Sequence, residues 1–230
     1  MLVTIHQPNY LPWPGFFHKW LITDAFVILD TVQYHKNEWQ NRNRIKTVNG
    51  AQWVTVPVTY RFPQTIMEVG IAQPNWARKQ TAAIEQAYAR APYIDAYWPQ
   101  LREVLAQPWP KVADLNVAVI RTIGEMLGCK APLHLASSMQ TASEDPTERL
   151  ISLCSELGGD GYLSGREGRG YLEREKFTDA GIELWFQEVE APRYPQLHGE
   201  FISHLSVIDM LFNVGPATPE MILNMGDKRQ

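Results

Sequence analysis

The chain has 230 residues, 45% of them hydrophobic, with 21 Lys and Arg against 25 Asp and Glu and a formal net charge of −4. That length fits one domain, with or without an insertion, that can bury a full core. The mild acidic balance argues against a general nucleic-acid or anionic-membrane binder, and no apolar run approaches the ~20 residues of a membrane span.

The first elements are compact. Val3-Thr4-Ile5 is a short apolar run that opens into the polar, proline-rich stretch from His6 to Pro14. Trp13, Phe16, Phe17, Trp20 and Leu21 then fall on one helical face, and Ala25 to Asp30 is a second apolar run. The pattern predicts strand, loop, helix and strand, the first βα unit of an open parallel sheet. The run from Thr31 to Lys46 is too polar for a core and lacks a clean period, so it is expected to be a loop. Asn49-Gly50 predicts a tight hairpin turn into a strand over Gln52–Val58, and a further short strand is expected within Ile66–Ile71.

From Asn75 to about Leu127 apolar residues recur at helical spacing, punctuated by Pro92, Pro99, Pro108 and Pro110, which predicts a mainly helical insertion of three helices. The last hundred residues alternate. Strands are expected at Pro132–Ala136, Gly161–Leu163 and Ile182–Phe186. Helices are expected after Asp145-Pro146, a natural N-cap followed by a first-turn proline, over Tyr171–Ala180, and over Phe201–Val214. Such alternation implies parallel βαβ crossovers. The expected fold is therefore α/β: a single domain over 1–230 built on an open, mostly parallel, doubly wound Rossmann-like sheet, with the helical insertion at about 75–127.

Ligands of such sheets bind outside the carboxyl ends of the strands, so residues that follow strands are the site candidates. The first loop supplies His6, Gln7, Asn9 and Tyr10. The second supplies Asp30, Gln33, Tyr34, Lys36, Trp39, Asn41, Arg42, Arg44 and Lys46, where basic groups alternate with aromatics and amides suited to phosphates and to stacking on a ring. Ser164-Gly165-Arg166 begins a glycine-rich turn, and Tyr194 and Gln196 follow the last strand. His6 is the candidate acid or base. Asp30 is read as orienting His6, as holding a substrate hydroxyl or amine, or as capping a loop. Asp209, inside an apolar helix, is expected to have a structural partner. Cys129 and Cys154 sit among apolar neighbours and read as buried thiols of a reducing compartment. No zinc spacing, P-loop, GxGxxG or GxSxG elbow occurs, so neither a metal nor a cofactor is expected. The N-terminus shows no basic segment followed by an apolar signal core, and a cytoplasmic location is expected.

The stretch from His6 to Lys19 resembles the opening of the WbqC-like proteins. So do Asp30-Thr31-Val32-Gln33-Tyr34, the run Trp39–Lys46, Tyr162-Leu163-Ser164-Gly165 and Leu205–Gly215. The resemblance spans nearly the whole chain and implies a role in O-antigen or other bacterial surface-polysaccharide assembly, with some members labelled as transferring glycine or another acyl group to an amino sugar. A weaker likeness is to the layout of HIGH-type nucleotidylyltransferases, whose two signature histidines are not matched by Trp13-Pro14-Gly15-Phe16.

Three readings follow. The first is a transferase acylating or aminoacylating an amine of a nucleotide-linked sugar from a CoA or carrier-protein thioester. In it Arg42, Arg44 and Lys46 hold the diphosphate, Tyr34 or Trp39 packs on a ring, His6 oriented by Asp30 is the base, and Asn9, Gln33 or an N–H near Ser164 meets the oxyanion. The second is a nucleotidyltransferase, and the third a non-catalytic nucleotide-sugar binding protein. Oligomeric state is left open.

Overall fold

The structure, a computed structural model, describes residues 1–73, 75–140 and 143–229. The chain opens with β1 (Leu2–His6), α1 (Pro14–Leu21) and β2 (Ala25–Ile28). It later supplies β7 (Leu133–Leu135), α5 (Pro146–Glu156), β8 (Gly161–Ser164), α6 (Arg174–Asp179) and β9 (Glu183–Val189). The end is formed by α7 (Val207–Val214), α8 (Thr218–Leu223) and β10 (Gly226–Arg229). Between β2 and β7 lie β3 (Arg42–Thr47), β4 (Gly50–Thr55), β5 (Val58–Thr59), β6 (Gly70–Ile71), α2 (Trp76–Tyr88), α3 (Ile94–Ala106) and α4 (Val112–Leu127).

The central sheet runs β10-β9-β8-β1-β2-β7. Five neighbouring strands are parallel and β10 pairs antiparallel with β9. Counted in chain order, the parallel strands read third, second, first, fourth, fifth, so the order reverses between β1 and β8. That reversal opens a crevice at the carboxyl ends of the two central strands.

Period-two alternation decides which face each side chain covers. Val3, Ile5, Ala25 and Val27 pack with Leu150, Leu153 and Phe177 on one face. Phe26 and Ile28 join Phe16, Phe17 and Trp20 of α1 in the larger core on the other. The close fit of α1 against α4 depends on Gly124, since a Cβ there would lie 2.4 Å from a Trp20 ring carbon. The Trp20 indole N–H donates to the Ala131 carbonyl at 2.8 Å, so both rim and edge of the ring are held.

The expected helices in 75–127 are α2, α3 and α4, and Asp145 caps α5 by accepting the Glu148 N–H. Three expectations are corrected. The polar run read as a loop contains β3, which pairs with β4 in a hairpin that joins Thr47 to Gly50, with Gly50 at φ 92°. Its polar side chains are buried because distant carbonyls satisfy them: Asn43 donates to Leu11 O at 2.7 Å and Lys46 Nζ to Gly199 O at 3.2 Å. The helices expected over Tyr171–Ala180 and Phe201–Val214 are shorter, α6 beginning at Arg174 and α7 at Val207, where Ser206 supplies the N-cap. The edge strand β10 was not anticipated, for Gly226-Asp227-Lys228-Arg229 carries no apolar signal.

Candidate functional site

The crevice at the ends of β1 and β8 has two lobes, of about 430 and about 630 Å³. His6, Asn9, Lys19, Trp39, Gly165 and Glu167 line both, so these residues form a waist between them. Trp13 and His204 wall the smaller lobe, their rings stacked 5.6 Å apart at 27°. Gln7, Gln40 and Ser164 line the larger one over Leu29 and Leu150.

His6 ends β1. Its Nδ1 lies 2.9 Å from the Gln7 carbonyl; a carbonyl only accepts, so Nδ1 bears the hydrogen and Nε2 keeps a lone pair. Burial, and then the charge of Lys19, lower its pKa to about 3 against the favourable effect of the Gln7 carbonyl. The ring is a neutral imidazole at physiological pH, packed edge-on to Phe16 at 4.8 Å.

Lys19 is the unexpected member. The α1 helix carries it into the crevice wall at 3% exposure, and no carboxylate among the described residues pairs with it. Burial lowers its pKa to about 7, so a large fraction of the amine is uncharged near neutrality. An amine in that state is a base or nucleophile, which a solvated lysine is not. Beside it Gln187 donates to Gly15 O at 2.8 Å and to His18 Nδ1 at 2.9 Å. His18 completes the chain toward Gly226 O at 3.2 Å. The α1 backbone and the edge strand are thereby tied together beneath the site.

Residues 7–221 match the model of the WbqC-like protein family. The chain belongs to that family. It is also similar to a Mycobacterium tuberculosis protein named "Uncharacterized protein Rv1507c", 36% identical over 224 residues and covering 96% of each chain. No solved structure matches.

Of the residues singled out from the sequence of this WbqC-like protein, His6, Gln7, Asn9, Trp39, Ser164, Gly165 and Arg166 are on the crevice walls. The others are placed elsewhere. Asp30 does not orient His6: its oxygens accept from Ser137 N at 3.0 Å and Ser137 Oγ at 2.6 Å, capping the turn after β7. Tyr10 is buried and donates to Gln80. Gln33 donates to the Tyr34 and Gln64 carbonyls, and Tyr34 is buried against Tyr60, ring centroids 5.0 Å apart. Asn41 donates to Val56 O at 2.9 Å.

The basic run does not form the expected phosphate clamp. Arg42 lies over the Trp53 ring at 4.3 Å, and Arg44 donates to His204 O at 3.2 Å. Lys46 is 1% exposed and holds the Gly199 and Glu200 carbonyls, while Lys36 is exposed to solvent. Tyr194 donates to Asp209 at 2.9 Å, and Gln196 clamps Ile202 through both its amide atoms. These contacts fasten the segment that brings His204 onto Trp13. Asp209 has the structural partners expected of it, Tyr88 at 2.8 Å and Tyr194. Lys19, Trp13, Gln187 and His204 were missed. A lysine inside the apolar run Phe16-Phe17-His18-Lys19-Trp20 was the available signal, since a charge on a helix whose neighbours are aromatic is either strongly exposed or placed with a purpose.

Proposed function

We propose that this protein is an enzyme of surface-polysaccharide assembly that transfers an acyl or aminoacyl group from an activated thioester to an amino group of a nucleotide-linked sugar. The observation that carries the reading is the buried Lys19 amine, about half uncharged at neutral pH and lining the same crevice as a neutral imidazole where the strand order reverses. A base poised near the working pH is what attack by an amine requires.

In this account the sugar amine attacks the thioester carbonyl and Lys19 takes the N–H proton. Lys19 then returns it to the departing thiolate, leaving an amide and a free thiol. His6 Nε2 accepts a hydrogen bond from the attacking amine and aligns it. Asn9 and the Gly165 N–H, both on the crevice wall, are the donors for the oxyanion. Arg166 takes over the diphosphate contact first assigned to Arg42, Arg44 and Lys46.

The test is thiol release from acyl and aminoacyl thioesters in the presence of nucleotide-linked amino sugars. Release that needs both substrates and vanishes in Lys19→Met supports the reading. Ligand-dependent thermal stabilisation with no turnover would instead mark a non-catalytic binding protein. A second reading, nucleotidyl transfer, is favoured by the strand order and by a ligand loop directly after β1; it predicts Mg²⁺-dependent pyrophosphate release.

A further inference from the structure

The two lobes differ in chemistry although they share a waist. The smaller combines an indole and imidazole stack, Trp13 on His204, with the guanidinium of Arg166. Aromatic faces with a nearby cation suit a planar base carrying phosphates. The larger is lined by Gln7 and Gln40, whose carboxamides hydrogen-bond to each other at 2.7 Å, by the hydroxyl of Ser164, the carboxylates of Glu38 and Glu167, and the apolar side chains of Leu29 and Leu150. A flexible chain that alternates amides with methylene groups suits that surface, and a pantetheine arm is such a chain. Each lobe alone falls within the ~300–1,000 Å³ of small-molecule sites. A group in either lobe has access to Lys19, which lines both.

Among the described residues no cysteine lines either lobe. Cys129 and Cys154 have their thiols pushed up to about 12 by burial, so neither offers a thiolate to carry an acyl group between half-reactions. We infer that the crevice holds two ligands at once, a nucleotide in the Trp13–His204 lobe and the pantetheine arm of an acyl thioester in the Gln7–Gln40 lobe, and that transfer between them is direct. The naming of the two ligands rests on the proposed function; the simultaneous occupancy of two lobes does not.

The experiment titrates the intact protein calorimetrically with UDP and with pantetheine, each alone and each in saturating amounts of the other. Both are expected to bind, with each affinity changing less than about threefold when the other is present, as for separate sites. Trp13→Ala is expected to weaken UDP by about fivefold or more, the loss of one stacking face, while leaving pantetheine within about threefold. Mutual exclusion of the two probes on the wild-type protein overturns the inference, since one ligand would then span both lobes. Failure of either probe to bind overturns it too, and neither result needs a variant to fold. Independent binding of both probes without acyl transfer to any amino sugar would sink the proposed function and leave the two-lobe assignment standing. Turnover with competing probes would do the reverse.

Discussion

Replacing Lys19 with methionine is expected to stabilise the protein while abolishing its turnover. In the unfolded chain the amine titrates at its ordinary value of 10.5, and in the folded protein at about 7. Between those values the unfolded state binds the additional proton, so stability rises with pH across the window from about 7 to 10.5. Below about 7 both states are protonated and the full penalty for burying the ammonium is present. At ~1.4 kcal/mol for each pH unit between the two values, that penalty is at most about 5 kcal/mol. Methionine fills a similar volume without a charge and removes it. Urea denaturation of the two proteins at a series of pH values from neutral to alkaline reads the difference directly. The variant should be the more stable near pH 7, and its advantage should shrink as pH rises toward 10.5. An advantage that is absent at neutral pH, or that does not change with pH, would refute a buried, depressed lysine.

The remaining expectations are more local. The pH–activity profile should rise through a midpoint near 7 as Lys19 loses its proton, with no limb from His6, which stays neutral above about 3; a flat profile across neutrality would contradict the assignment of the base. Asp209→Ala leaves the hydroxyls of Tyr88 and Tyr194 without their acceptor, which should cost about 2–5 kcal/mol in denaturation experiments. Gly124→Ala drives a methyl into the Trp20 ring and should cost about 1–3 kcal/mol, seen as a lower Tm with quenched or shifted tryptophan emission. Lys46→Met releases the Gly199 and Glu200 carbonyls, so limited proteolysis should cut between Glu190 and Leu205 faster than in the wild-type protein.

Much of the sheet was legible because local pattern and tertiary role agree there. Val3 and Ile5 alternate with Thr4 and end at a histidine, and Ala25 to Ile28 is apolar on both faces, as a central parallel strand must be. The rim of the crevice followed from that order. What was hidden depended on partners far along the chain. Lys46 reads as a solvated cation until the carbonyls of Gly199 and Glu200 are folded onto it, and Asn43 reads as a loop residue until Leu11 O is placed above it. The basic-aromatic run therefore reads as a ligand-binding surface in the sequence, whereas in the fold Arg44 and Lys46 fasten the strap that positions His204. Asp30 shares a rim with His6 in the sequence pattern, but Ser137, from the neighbouring strand's turn, donates to its oxygens, which leaves it the loop-capping role among its three readings. Lys19 was obscured for the opposite reason: its helix looked purely structural, and only the open crevice above it turns a packing position into a chemical one.

The most direct measurement of the central claim is reductive trapping of pyridoxal 5′-phosphate near neutral pH, followed by mass mapping of the modified lysines. An aldehyde bearing a phosphate forms an imine fastest with an uncharged amine beside an anion-binding pocket. Lys19 is expected to be labelled first, and UDP to slow the reaction. Label spread over exposed lysines such as Lys36, Lys79 and Lys130, with Lys19 unmodified, would contradict it.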